Sequence, residues 1–245
     1  MKTVLDLTVL LPVFNEKDNL IFLLDEIKAA LGSLNKSYEI LFVDDGSTDG
    51  SRELLRELEA GHSQVRVIEF DGNFGQSAAL GAGFREARGE VVVTLDSDGQ
   101  NDPADIPKLL KLLEAESADA VCGVRARRID SWQKRAASKF ANWVRNQVSG
   151  DSIQDTGCSL KAFRKECLND FFYFKGMHRF FPTLLRMSGY KVVEAHVNHR
   201  PRTRGLSKYS TRNRLIHPFL DLLAVRWMKD KRLRYQIRER HDQHV

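Results

Sequence analysis

The first half of the sequence alternates short, β-branched apolar runs with amphipathic runs whose leucines and isoleucines recur at helical spacing. Strands that alternate with helices are joined most simply as parallel strands with right-handed helical crossovers. The sequence therefore predicts an α/β fold with a mostly parallel central sheet flanked by helices. The predicted strands span residues 4–11, 38–43, 65–70, 90–95 and 118–124, and the predicted helices span residues 18–31, 51–60 and 105–114.

The second half of the sequence is less regular. It predicts helices over residues 130–147 and 179–187, a strand over 191–197, a basic loop over 199–208 and a last helix over about 211–228. Pro218 should break or kink that helix near its start. We expect a catalytic domain of residues 1–210, followed by an amphipathic helix and basic tail at 211–245, of which residues 229–245 should be frayed. The apolar face of the last helix is formed by Leu215, Phe219, Leu222, Leu223 and Trp227.

Composition limits the setting and the partners. The three cysteines follow no disulfide or zinc spacing, and no apolar stretch reaches 18 residues, so we expect a reduced, intracellular protein without a signal peptide or membrane span. Residues 199–245 hold 13 basic and 4 acidic side chains, a net charge of +9, whereas the first 198 residues carry −4. This asymmetry indicates an anionic partner for the C-terminal fifth, and a solubilising tail is the alternative.

A short acidic segment follows the fourth predicted strand. It reads Asp96-Ser97-Asp98-Gly99-Gln100, with two carboxylates at i and i+2 and an amide at i+4. Ligands of open α/β sheets bind beyond the carboxyl ends of the strands, and such oxygen groups suit Mg²⁺ or Mn²⁺. The segment therefore predicts a divalent cation that would bridge a nucleotide diphosphate. The alternative is a turn or helix cap that uses the aspartates locally.

A second acidic segment, Asp44-Asp45-Gly46-Ser47, follows the second predicted strand. A carboxylate at a strand end can accept a hydrogen bond from the ring N–H of uracil or guanine, and the residues after it can cap a helix. Neither a Gly-x-Gly-x-x-Gly turn nor a Gly-x-x-x-x-Gly-Lys-Ser/Thr loop is present, which excludes a Rossmann dehydrogenase and a P-loop NTPase.

Four segments, each after a predicted strand, occur in a recognisable order: PVFNE at 12–16, DDGS at 44–47, NFG at 73–75 and DSD at 96–98. In this order they resemble the GT-A domain of family 2 glycosyltransferases. Asp98-Gly99-Gln100 followed by Pro103, together with RTRGLSK at 202–208, resembles the branch of dolichol-phosphate mannose and polyprenyl-phosphate glucose synthases. The resemblance covers about residues 5–228 and implies the GT-A fold.

The resemblance also implies roles for individual residues. Phe14 stands where tyrosine is commoner and lacks its hydroxyl, and Lys134 stands at an arginine position without a bidentate fork. Asp45 would lie near the nucleotide, Asp96 would contact the nucleotide sugar, and Asp98 with Gln100 would hold Mg²⁺ or Mn²⁺. The nucleotide would be held by Pro12, Phe14, Glu16 and Asp44. The residues around the donor diphosphate and the lipid phosphate would be Arg125, Lys134 or Arg135, Ser138, Arg202 and Lys208.

The implied activity is inverting transfer of a sugar from a GDP- or UDP-sugar to a polyprenyl phosphate, dolichyl or undecaprenyl. Basic residues support this acceptor, because an ionised phosphate needs cations rather than a base. Residues 125–139 hold six Lys or Arg and residues 199–208 hold four, and no Glu-Asp pair stands near Arg179, where a base is expected. The alternative for residues 125–139 is a solvated helix face.

Two other functions remain open. A family 2 transferase acting on a soluble saccharide hydroxyl would need a carboxylate base near Asp155, and a non-catalytic scaffold would only bind the nucleotide sugar. The basic tail has no recognisable nucleic-acid fold, so no nucleic-acid partner is expected. We expect a cytoplasmic protein at the inner face of a membrane, held by the last helix on anionic lipid or by a separate membrane subunit.

Some conspicuous side chains have ordinary interpretations. His178 and Arg179, with Trp132 and Trp143, could line an acceptor groove, but core positions are favoured. Cys158 has no base near it in sequence, so a buried structural thiol is expected.

Overall fold

A computed structural model describes residues 4–125, 153–169, 172–202 and 216–231 of the chain. Seven strands in these ranges form one sheet: β1 (Leu5–Val13), β2 (Tyr38–Asp44), β3 (Val65–Glu69), β4 (Gly89–Thr94), β5 (Ala120–Arg125), β6 (Lys161–Arg164) and β7 (Val192–Val197). Their order across the sheet is β3-β2-β1-β4-β6-β5-β7.

Helices cover both faces of the sheet. They are α1 (Lys17–Leu31), α2 (Ser51–Gly61), α3 (Gln76–Glu86), α4 (Ile106–Ala115), α5 (Lys165–Asn169), α6 (Phe181–Met187) and α7 (Ile216–Lys231), with 3₁₀ turns at Pro103–Asp105 and Met177–Arg179.

The directions of the strands confirm a mostly parallel sheet. β1 pairs in parallel with β2 and β4, β2 with β3, and β5 with β7. β6 is the exception, because it runs antiparallel between β4 and β5. The sequence did not predict β6, since its four residues, KAFR, place only two apolar side chains between basic ones.

The two faces of β1 bury different side chains, which explains its nearly continuous apolar sequence. Leu7, Val9 and Leu11 pack with leucines and isoleucines of α1 and α4 in one buried cluster. Leu10 points to the opposite face and packs with α3, α6 and α7. A side-chain period of two therefore divides one strand between two cores.

Helix α3 was not predicted, and its glycines explain why. Glycine weakens a helical pattern, yet Gly83 brings α3 very close to the sheet. A Cβ atom on Gly83 would lie 2.2 Å from Cδ1 of the fully buried Leu10. Close packing therefore requires glycine at a core-facing position where an apolar side chain would have helped to reveal the helix.

The last helix differs from its prediction. Leu222 and Val225 are buried against the core, whereas Leu220, Leu223 and Trp227 are exposed. The expectation that Leu222, Leu223 and Trp227 share one face was therefore wrong, because the helix presents apolar residues in two directions. Among the described residues, no helix is long and apolar enough to cross a membrane.

Several predictions lie outside the described residues: the helix at 130–147, the loop at 203–208, the boundary at 210/211 and the end of the tail at 232–245. The described part of the tail, up to Lys231, is helical. The helix predicted at 179–187 is a 3₁₀ turn followed by α6.

Gly89→Ala should destabilise the fold. Gly89 pairs with Leu5 at the start of β4, and a Cβ atom there would lie 2.3 Å from the backbone nitrogen of Thr8. The backbone of β1 cannot move aside as a flexible side chain can. We therefore expect a loss of about 1–3 kcal/mol in the free energy of unfolding. Urea titration followed by circular dichroism measures it.

The matched control is Gly61→Ala, at the end of α2, where a Cβ atom would meet nothing within 4 Å. Its stability should be unchanged or slightly higher. Equal stabilities of the two variants would contradict the packing argument.

Candidate active site

The carboxyl ends of β1, β2, β4 and β5 meet at one edge of the sheet, where antiparallel β6 begins. The loops after β1 and β2 are joined at this edge by side chains. Asn15, whose φ is 53°, donates its backbone N–H to Ser47 Oγ at 2.9 Å, and its side-chain oxygen accepts from Thr48 N at 2.6 Å. Glu16 donates its backbone N–H to Ser51 Oγ at 3.0 Å. These bonds hold the PVFNE segment, with Phe14 partly buried, against the second acidic loop.

The two neighbouring aspartates of that loop are buried and hydrogen-bonded. Asp44 accepts from Arg52 Nε at 2.9 Å and from Ser47 N at 3.1 Å. Asp45 accepts backbone N–H groups of Phe74 at 2.7 Å and Gly75 at 2.8 Å, and burial raises the pKa of Asp45. Both carboxylates organise loops. Their predicted contacts with a nucleotide stay predictions.

The DSD segment is fixed to other parts of the edge. Asp96 accepts from Gln76 Nε2 of α3 at 2.7 Å, and Ser97 Oγ donates to Pro12 O at 2.8 Å. Burial and the nearby charge of Asp98 raise the pKa of Asp96 to about 6. The crowding of these two carboxylates favours a cation beside them.

In this structure the cation beside Asp98 is Arg202. Its guanidinium lies 2.9 Å from Asp98 Oδ2 and 3.3 Å from Glu16 Oε1. The chain just before Arg202 is bonded to the loop that contains Asp98 and Gln100. Arg200 N donates to Gln100 O at 2.8 Å, and the Arg200 guanidinium pairs with Asp102 at 2.7 Å. Residues about a hundred positions apart therefore meet at one site.

The donor set around Asp98 fits a divalent cation that also binds substrate. Asp98 offers carboxylate oxygens. Gln100 donates its side-chain N–H to Arg200 O at 3.3 Å, which leaves its side-chain amide oxygen as a candidate ligand. Among the described residues, no cluster of three or more acidic, histidine or cysteine side chains forms a closed metal cage. Mg²⁺ is commonly bound by one or two carboxylates, and phosphate oxygens of the substrate complete its coordination.

A cavity of about 540 Å³ opens behind Asp96. Its walls combine basic, hydroxyl, amide and apolar groups. Among the described lining residues, the charged and imidazole side chains are those of Asp96, Arg125, Lys161, His178 and Arg179. A cavity of this size with few polar groups is typical of small-ligand sites.

Arg125 is held rigidly in the wall. It forms a bidentate pair with Asp155, with Nε and Nη2 at 2.7 and 2.9 Å from the two carboxylate oxygens. Asp155 also accepts the backbone N–H of Gly157 at 3.0 Å. A Cβ atom on Gly157 would lie 2.8 Å from Arg125 Nη2, so the pair needs glycine there. The bidentate geometry fixes the position of the guanidinium and therefore of its positive charge.

Sequence reasoning missed one lining residue and favoured a core position for another. Lys161, the first residue of β6, is 2% exposed and donates to Cys158 O, and no motif drew attention to it. His178 was expected in the core, but it lines the cavity and contacts Ser77 of α3. Burial, with the charges of Arg179 and Lys161, lowers the pKa of His178 to about 3. The histidine is therefore neutral at physiological pH.

The structure places the predicted residues in three neighbouring groups. Pro12, Asp96 and Arg125 line the cavity, Glu16, Asp98 and Arg202 are in contact beside it, and the Asp44 and Asp45 pair lies in the adjacent loop. Lys134, Arg135, Ser138 and Lys208 lie outside the described residues. Cys158 is buried as expected, and burial raises its pKa.

Comparison with solved structures supports the fold. Mannosyltransferase PcManGT from Pyrobaculum calidifontis, in complex with GDP-Man and Mn²⁺, superposes with a TM-score of 0.64 at 21% identity, over 94% of this chain and 71% of that one. Glucosyl-3-phosphoglycerate synthase from Mycobacterium tuberculosis, with Mn²⁺ and UDP-glucose, gives 0.65 at 21% identity, over 90% and 79%. Both likenesses support the predicted GT-A fold.

Sequence comparison gives closer relatives. The undecaprenyl-phosphate 4-deoxy-4-formamido-L-arabinose transferase of Edwardsiella ictaluri is 38% identical over 91% of this chain and 68% of its own length. The Serratia proteamaculans protein of the same name is 38% identical over 89% and 66%. The chain thus spans about two thirds of these relatives. The model of glycosyl transferase family 2 matches residues 8–172. The chain therefore belongs to glycosyl transferase family 2.

Proposed function

We propose that the protein transfers a sugar, with inversion, from a GDP- or UDP-sugar to a polyprenyl phosphate in a reaction that requires Mg²⁺ or Mn²⁺. The observation that carries the proposal is the charge of the cavity wall, where the described lining residues include Arg125, Lys161 and Arg179 and one carboxylate, Asp96. Of these cations, Arg125 is paired with Asp155 behind the wall. Such a wall suits an acceptor that arrives already ionised, because a phosphate needs positioning rather than deprotonation. The names of the two relatives support the same acceptor class.

In the proposed reaction an acceptor phosphate oxygen attacks the anomeric carbon in line as the nucleoside diphosphate leaves. Glu16, Asp44 and the loop they stabilise would bind the nucleotide, and Asp96 would contact the sugar. Asp98 and Gln100 would hold the divalent cation, which supplies charge neutralisation at the diphosphate. Arg125 and Arg202 would orient the phosphates, with Lys134 or Arg135, Ser138 and Lys208 as further predicted contacts.

The main alternative, transfer to a saccharide hydroxyl, requires a general base. The candidate carboxylate was one near Asp155, but Asp155 itself is 7% exposed and gives both its oxygens to Arg125. With both oxygens occupied in this way, the carboxylate is not open to a hydroxyl. This contact favours the phosphate acceptor.

Asp98→Asn should abolish most transfer. The purified chain is incubated with Mg²⁺ or Mn²⁺, a short polyprenyl phosphate and a panel that includes GDP-mannose, UDP-glucose and a nucleotide-linked 4-deoxy-4-formamido-L-arabinose. Sugar extracted into organic solvent is then counted. Loss of a metal-binding carboxylate should lower the rate about 100-fold or more.

Asp25→Asn is the matched control, since it removes the same charge from the exposed side of α1. Its rate should equal that of the unchanged chain. Turnover only with a soluble saccharide would refute the lipid acceptor, and nucleotide binding without turnover on any acceptor would favour the scaffold.

We further propose that the C-terminal region, residues 211–245, brings the catalytic domain, residues 1–210, to an anionic membrane at the inner, cytoplasmic face. Leu220, Leu223 and Trp227 lie three and four positions apart on the exposed side of α7 and are 55%, 44% and 63% exposed. Arg226, Lys229 and Lys231 belong to the same helix. Exposed apolar groups beside basic ones are typical of helices that lie in the membrane interface.

The triple substitution of Leu220, Leu223 and Trp227 by glutamine should weaken vesicle binding. Burial of each side chain contributes about 1.5–3 kcal/mol, so we expect at least a tenfold loss of binding to vesicles containing phosphatidylglycerol. Co-sedimentation of the full chain measures it.

A control variant replaces Ile21 and Phe22, which are 51% and 57% exposed on α1, by glutamine. It tests the loss of exposed apolar surface elsewhere and should bind as the unchanged chain does. Equal binding of all three proteins would contradict the role of α7. Absence of binding by the unchanged chain would point to a separate membrane subunit.

A further inference from the structure

A short hydrogen-bonded chain links α3 to the 3₁₀ turn before α6. Gly176, whose φ is 98°, donates its backbone N–H to Ser77 Oγ at 3.0 Å, and Ser77 Oγ lies 2.8 Å from His178 Nδ1. Ser77 is 8% exposed, so its hydroxyl proton needs an acceptor within the protein. Among the described residues, His178 Nδ1 is the acceptor within reach of that hydroxyl.

The chain of bonds determines the tautomer of the histidine. A hydroxyl that accepts from Gly176 and donates to Nδ1 leaves Nδ1 without a proton, and the proton of a neutral imidazole is then on Nε2. Lys161 and Arg179 add positive charge nearby, which disfavours a second proton on the ring. His178 is therefore a hydrogen-bond donor at Nε2 and has no basic nitrogen left to accept a proton there.

The Nε2 edge of the ring is the part left to contact a ligand. His178 is a lining residue, and no residue that the structure describes forms a hydrogen bond with its Nε2. Gln76, the residue before Ser77, contacts Asp96 at 2.7 Å, so the first turn of α3 supports both polar groups. The cavity thus combines a carboxylate acceptor, a neutral N–H donor and a buried lysine. Such a mixture suits the hydroxyl groups of a sugar.

We propose that His178 donates its Nε2–H to a hydroxyl oxygen of the transferred sugar, and that Ser77 is a positioning residue that holds this tautomer. The inference rests on the proposed function, because it takes the cavity as the site of the donor sugar. No Glu-Asp pair stands near Arg179, where a base is expected. At that place His178 acts as a hydrogen-bond donor and not as a base.

The tautomer is tested first, on the full chain and without substrate. Chain labelled with ¹⁵N-histidine is examined by NMR between pH 5 and 8, and the His178 signals are those lost in His178→Gln. We expect an unprotonated Nδ1 and a protonated Nε2 throughout this range. Ser77→Ala should introduce the second tautomer or a titration, with unchanged circular dichroism as the check on folding. A ring that titrates near its ordinary pKa, or carries its proton on Nδ1, would overturn the proposal.

The sugar contact is tested by calorimetry with Mn²⁺, comparing GDP-mannose with GDP and UDP-glucose with UDP. The unchanged chain should bind at least one sugar-linked nucleotide more tightly than its free nucleotide. His178→Phe should lower that ratio about 3–10-fold and leave GDP and UDP binding unchanged, as expected for one lost hydrogen bond. His178→Gln, which keeps an N–H donor, should retain most of the ratio.

Equal weakening of free and sugar-linked nucleotides in His178→Phe, no change in either, or a ratio of one in the unchanged chain would refute the contact. Failure of the proposed function has a different signature. In that case no extractable lipid-linked sugar forms, while the tautomer and the sugar-dependent binding of the unchanged chain persist.

Discussion

Charge balance at the carboxyl edge of the sheet is the constraint on which the rest of the structure depends. Parallel strands deliver their loops to one edge, and here those loops are acidic. Each of these carboxylates has a donor or a cation from outside its own loop: Arg52 of α2 for Asp44, backbone N–H groups of the loop after β3 for Asp45, and Arg202 for Asp98. The site and the loop structure therefore form together.

Much of the fold could be predicted because apolar periodicity follows directly from burial. Both faces of β1 and β2 are covered, so their sequences are apolar enough to be recognised. Helix α3 and strand β6 could not be predicted, and for different reasons. Gly83 allows the close contact of α3 with Leu10 but weakens the apolar pattern that would predict a helix. Strand β6 is short, and its position depends on pairing with β4 and β5. Local sequence therefore predicts burial better than it predicts close backbone contacts or strands that depend on pairing with distant strands.

The candidate site was predictable to the same extent. The acidic segments stand directly after strands, so topology alone brings them together. The partners of those segments were harder to identify, because Gln76, Lys161 and His178 reach the cavity from elements whose pairing only the fold defines. His178 shows the difficulty most clearly, since a histidine beside an arginine in a short aromatic segment gives no sign of a serine 101 positions away.

The fixed charges of the cavity also bear on which acceptor the site can use. Arg125 is locked by Asp155, Lys161 is buried, and in the proposed tautomer the histidine that could have served as a base is neutral with its proton on Nε2. Among the described lining residues, a hydroxyl nucleophile would find cations, a donor and one carboxylate, Asp96, which already accepts from Gln76. An ionised phosphate would find favourable charge that is already in place and needs no reorganisation. Preference for such an acceptor would then arise from the protonation states that the fold imposes.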